Sequence, residues 1–137
     1  MDWYNNCMED SIFTKIIKGD IPCHKVYEDE MTLAFLDIHP LTKGHTLVIP
    51  KKQIEFVWDL PDEYYLAVMM TSKKTALRLK EVIGSKYISE RIEGVDVPHA
   101  HVQLIPFNQA SELGKEQDMS SEPDHDALAV LAKKLSF

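Results

Sequence analysis

Cysteine is scarce in this chain: Cys7 and Cys23 are the whole supply in 137 residues. Two thiols so far apart make no disulfide framework, and without a C-x-x-C pair there is no redox or zinc-finger signature. A reducing, cytoplasmic setting is the expectation. Also lacking is any uninterrupted apolar run near the roughly 18 to 20 residues that a bilayer span requires. The opening MDWYNNCMED has no basic segment leading into an apolar one, so neither export nor membrane insertion is expected. Positive charge is in deficit, with 15 Lys and Arg against 22 Asp and Glu for a formal net charge of −7. That balance argues against a long nucleic acid as partner, whose backbone demands clustered cations, while leaving room for a local basic pocket that takes one nucleotide. Internal repeats are missing too.

What is present is ordinary globular composition. Hydrophobic types make up 45% and charged types 27%, which suits one domain over residues 1–137 with a sizeable core. Ser11 to Gly19 reads as a short helix, with positions 12, 13, 16 and 17 apolar and a glycine stop. Three strand-like runs follow, Lys25 to Glu28, Met31 to Ile38 and His45 to Ile49, separated by an acidic turn and by the Pro40 to Gly44 loop. From Pro61 to Ile83 apolar residues recur at helical spacing, giving one long helix that Gly84 ends. Lys86 to Ile92 and Val97 to Ile105 again have strand character. The fold class is therefore α+β, an antiparallel sheet of about five strands with one long helix and short terminal helices. Pro106 to Pro123 reads as a polar surface loop or partly ordered tail, and Asp124 to Leu135 as a terminal helix that either covers the sheet edge or crosses to a partner.

The segment Pro98-His99-Ala100-His101-Val102-Gln103-Leu104-Ile105-Pro106 carries the chemistry. Period-two alternation puts His99, His101 and Gln103 on one face and Ala100, Val102 and Leu104 on the other, so one face packs while the other can react. A neutral imidazole offers one nitrogen lone pair for attack on phosphorus while its other nitrogen is held by a hydrogen bond. His101, in the middle, is best surrounded by supporting groups. Packed or surface histidines on a strand are the bland alternative, and H-x-H is also a two-ligand metal fragment that His39 or His45 could complete in the fold.

These residues, with the order of motifs before them, resemble the histidine-triad, or HIT, superfamily. The match runs from Phe13 to Pro106 through Ile21-Pro22, Val26-Tyr27-Glu28-Asp29-Glu30, Ala34-Phe35-Leu36-Asp37-Ile38, Gly44-His45 and Leu47-Val48-Ile49-Pro50-Lys51, leaving 107–137 as a variable C-terminal segment. The resemblance implies a HIT-like fold paired into a homodimer. It implies a nucleotide or nucleotide conjugate as ligand and His101 as the nucleophile that attacks the α-phosphorus, with no cofactor and no metal. His99 and His45 match histidines near the nucleophile. Asp37 matches a carboxylate that binds ribose hydroxyls, and Phe13, Ile17, Phe35 and Ile38 match the base cleft.

Several positions depart from that pattern. Gln103 stands where small hydrolytic members have a third histidine; the H-x-H-x-Q order resembles the transferase branch of the superfamily. A glutamine can hydrogen-bond a phosphate but cannot act as an acid near neutral pH. Ser89 to Val95 keeps a glycine but loses the family's amide side chain, and Glu90 and Glu93 are awkward beside a phosphate unless they face solvent. Ser11, Thr14 and Gln53 occupy positions where some members bind structural zinc through cysteines and a histidine. Phe107 replaces a common arginine, leaving Lys51, Arg91 or Lys115 to read groups beyond the α-phosphate. Two functions follow from this sequence: a hydrolase or nucleotidyltransferase, phosphorylase included, acting on a nucleotide conjugate or dinucleoside polyphosphate, or a nucleotide-binding or protein-interaction module that has lost turnover.

Overall fold

Apolar residues fall on both faces of the central strands, so the sheet must be covered twice. A computed structural model describes residues 9–137 and shows how; Cys7 lies outside them. Strands β1 (Lys25–Glu28), β2 (Thr32–Leu36), β3 (Thr46–Pro50), β4 (Tyr87–Arg91) and β5 (Val102–Phe107) form one antiparallel sheet in the order β1-β2-β3-β5-β4. The expected α+β architecture is the one observed. Ala34, Leu36, Val48, Val102 and Leu104 pack on the helical side, while Leu33, Phe35, Leu47 and Ile49 form a second cluster on the other side under Phe13.

The long helix α2 (Asp62–Ile83) covers the first face and ends on Gly84, whose left-handed φ of 74° lets its N–H reach Lys80 O. Its buried stripe is more polar than the sequence pattern suggests. Val68 and Leu79 are joined there by Thr71, Ser72 and Thr75, whereas Tyr65 is exposed. The Thr71 hydroxyl meets that of Thr32 at 2.8 Å, and Ser72 Oγ donates to Val68 O, so two of these polar groups enter the core satisfied.

The terminal helix α3 (His125–Leu135), capped by the Asp124 carboxylate, packs Leu128, Leu131 and Leu135 into the same core. Arg78 on α2 donates to Leu135 O and Lys134 O, and Phe137 stacks on Tyr27 of β1. The helix packs against β1, β2 and α2 of the same chain.

On the opposite face α1 (Ile12–Ile17) lies across the strands, with Ser11 as its N-cap accepting from Thr14 N–H. β5 starts at Val102, five residues later than the expected Val97. Upstream, Ala100 N–H bonds Ile54 O in a loop, and β3 ends at Pro50. With Val48 opposite Val102 in the register, His101 still stands beside β3, and it is His99 that reaches the strand's end, where its ring meets Pro50 O.

Candidate functional site

His101 is buried, 5% exposed, directly before β5. Its Nδ1 lies 2.8 Å from His99 O. A carbonyl oxygen only accepts, so Nδ1 carries the proton and the Nε2 lone pair is free. Among the described residues Nε2 has no hydrogen bond, and the ring lines a cavity of about 320 Å³. The Phe13 ring meets the imidazole edge-on at 5.3 Å between centroids, which limits its rotation.

His45 and Gln103 form a second directional pair. Leu41 N–H donates to His45 Nδ1 at 3.0 Å, so the His45 proton sits on Nε2 and is donated to Gln103 Oε1 at 2.9 Å. That orders the glutamine amide: its oxygen accepts from His45, leaving its NH₂ as the remaining donor of a side chain that lines the same cavity as His101. Burial pushes the His45 pKa below its ordinary 6.5, while Asp37 and the Gln103 contact oppose the shift and Arg91 adds to it. Gly44 makes the approach possible. Its φ of 92° is in the left-handed region, and a Cβ there would come to 3.2 Å from both Ile83 and Pro106.

His99 is fully buried and does not line the cavity. Nε2–H donates to Pro50 O at 2.8 Å, and Nδ1 accepts from Ser11 Oγ at 2.9 Å. Burial, then repulsion from His101, lowers its pKa, opposed by the Pro50 contact. Ser11, Thr14 and Gln53 close around it: Thr14 Oγ1 donates to Gln53 Oε1, which also accepts from Ser11 N–H at 2.8 Å. Two hydroxyls and an amide are poor donors for zinc. The residues present do not fit the family's structural zinc site, and a hydrogen-bonded cluster does the work of anchoring α1 to the histidine segment.

Asp37 follows β2 and lines the cavity with a half-buried carboxylate. Its Oδ1 accepts from His39 N–H at 2.8 Å, and its Oδ2 lies 3.8 Å from His45 Nε2. Phe13, Phe35 and Ile38 line the cavity as well, while Ile17 packs into the apolar cluster behind it. Ile12 and Ile16, neighbours on α1, take wall positions that sequence reasoning did not single out.

The larger omission is the stretch read as a polar loop. It continues β5 to Phe107, forms a 3-10 turn at Ala110–Gly114, and then brings Gln117 and Met119 onto the cavity wall. Gln117 Nε2 donates to Asp37 Oδ2 at 3.0 Å and to His39 O at 2.7 Å. No periodicity or motif in the sequence signals this contact.

The charges near the site also sort themselves. Glu90 lies on the α2 face of the sheet, in a separate cavity with Met69 and Lys73, and Glu93 is exposed 3.9 Å from Arg91. Lys51 is engaged by Glu28 at 2.9 Å. Arg91 and Lys115 line a polar chamber of about 370 Å³ that also contains His45, and Arg91 donates to Leu113 O.

A HIT domain matches residues 18–110, more than half of the chain. The chain is 47% identical over 106 residues to protein hit of Bacillus subtilis, covering 74% of this chain and 73% of that one. It is 42% identical over 96 residues to adenosine 5′-monophosphoramidase of Schizosaccharomyces pombe, covering 69% and 72% of the two chains. A crystal structure of a Hit-like protein from Bartonella henselae superposes with a TM-score of 0.79 at 30% identity, over 92% of this chain and 94% of that one. Sequence and fold agree, and with its paired histidines set at the head of β5 the chain belongs to the HIT family.

Proposed function

We propose that this chain cleaves nucleotide conjugates at the α-phosphate through a nucleotidyl-His101 intermediate. The observation that carries the reading is the His101 tautomer: Nδ1–H is tied to His99 O, which leaves the lone pair on Nε2 of a ring that lines a cavity shared with Gln103 and Asp37. A relative in Schizosaccharomyces pombe is named an adenosine 5′-monophosphoramidase, a nucleotide hydrolase of the kind this arrangement suits.

In the first step Nε2 attacks the α-phosphorus, a phosphorus–nitrogen bond forms, and the bond to the leaving group breaks with its electron pair. The positive charge that develops on the ring is stabilised by the Nδ1–H bond to His99 O. The Gln103 NH₂ donates to a phosphoryl oxygen, ordered by His45. In the second step water attacks the phosphorus and the imidazole leaves, releasing the nucleoside monophosphate. Inorganic phosphate in place of water would yield a nucleoside diphosphate, the phosphorylase outcome. Asp37 takes the ribose hydroxyls, and Phe13, Phe35 and Ile38 flank the base. The same reading treats residues 1–137 as one domain acting as a cytoplasmic homodimer.

The second reading, a binding module without turnover, is favoured by Gln103, which supplies no proton to a poor leaving group. Intact mass after brief incubation with adenosine phosphoramidate or diadenosine tetraphosphate, with and without phosphate, separates the two. A nucleotidyl adduct in the parent but not in His101→Ala, with a fall in turnover of about 10³-fold or more, is expected. Nucleotide binding with neither adduct nor product would leave the module reading in place.

A further inference from the structure

The Asp37 carboxylate already has a partner from within the chain. Oδ2, the oxygen free of the local His39 turn, accepts the amide of Gln117, a residue 80 positions away. The donor geometry, one N–H on one carboxylate oxygen at 3.0 Å, is the one a sugar hydroxyl would supply. Gln117 is tied down twice, since its amide also donates to His39 O at 2.7 Å. Residues 115–119 thereby cross the site as a strap. Gln117 and Met119, with Asp96 from the other side, are walls common to the apolar chamber that holds His101 and the polar chamber that holds His45, Arg91 and Lys115. The closed position carries a flaw: His39, on the wall of the apolar chamber, keeps its Nδ1 buried without a hydrogen-bond partner among the described residues.

We infer that Gln117 is a built-in stand-in for the ribose, and that a nucleoside ligand must displace the 115–119 strap from Asp37 before its hydroxyls can bind there. The inference rests on the proposed nucleotide-binding function of the same cavity. Gln117 therefore sets the affinity threshold for ribose-bearing ligands. Its displacement joins the two chambers, so the part of a conjugate beyond the α-phosphate gains access to Arg91 and Lys115. Losing the stand-in removes a competitor for Asp37 and leaves Phe13, Phe35 and Ile38 in place, which separates this role from that of a residue contacting bound nucleotide.

The test is Gln117→Ala in the full chain, with AMP affinity measured by calorimetry and adenine as a control ligand without ribose. The variant is expected to bind AMP roughly tenfold more tightly, the equivalent of one charge-assisted hydrogen bond, with adenine affinity unchanged. Hydrogen exchange in the parent is expected to quicken across 115–119 when AMP is added. Equal or weaker AMP binding by the variant, or slower exchange of the strap on binding, overturns the inference while the proposed function stands. Failure of both proteins to bind AMP overturns the two together.

Discussion

Acidification should destabilise this protein well before its carboxylates protonate. His45 and His99 are 1% and 0% exposed, and for each the dominant effect of its surroundings is burial, which lowers the pKa from the ordinary 6.5. A lowered folded-state value means that below about pH 6.5 the unfolded chain takes up protons the folded chain refuses, so stability falls as pH falls. The loss continues until the folded-state values are reached. Each such imidazole costs up to about 1 kcal/mol between pH 7 and 5.5, so the pair costs about 2 to 3 kcal/mol at most. For a chain of this size that is a drop in Tm of about 8 °C. The carboxylates with lowered values, Glu28 and Asp29 among them, lose their contribution only below their ordinary 4.5 and 3.8, which keeps this window clear. Thermal melts at half-unit steps from pH 7 to 5.5 would measure the slope, repeated for His99→Gln. That variant should be less stable at pH 7, since Pro50 O and Ser11 Oγ lose their shared partner, yet less sensitive to pH. A flat profile in the parent, or an undiminished slope in the variant, would refute the claim that these rings are held neutral by burial.

Two further outcomes are expected. Gln103→His places an imidazole in reach of the His45 Nε2–H, so its far nitrogen can donate to a leaving group; turnover of a phosphoramidate relative to diadenosine tetraphosphate should rise about tenfold or more. An unchanged ratio in steady-state assays would mean that leaving-group protonation does not occur from position 103. Leu79→Ala removes a fully buried side chain between α2 and the sheet and should cost about 2 to 5 kcal/mol in urea unfolding, whereas a loss under 1 kcal/mol would contradict a shared core.

The alternation in His99 to Leu104 was legible because a strand-like chain has only two sides, and an apolar Ala-Val-Leu row forces the His-His-Gln row onto the other. Helix α2 was legible for a similar reason, although its buried threonines were not, since Thr71 is indistinguishable from a surface residue until Thr32 is found beside it. His101, Gln103, His45 and Asp37 were named from motif order, but their division of labour was not: which nitrogen of each ring carries the proton depends on whether its neighbour is a backbone carbonyl or an N–H. Those neighbours are local for His101 and His45, at His99 O and Leu41 N, yet only the folded turn aims them.

The amino-acid order by itself thus determined the family, the α+β class and the alternation of polar and apolar residues from His99 to Leu104, because periodicity and motif order are local properties of the chain. Tertiary structure alone decided that His99 is enclosed by Ser11 from 88 residues away, and that Gln117 caps Asp37 from 80 residues away. Such contacts arise where two surfaces are pressed together by burial elsewhere in the core, and no pattern within either segment encodes its partner.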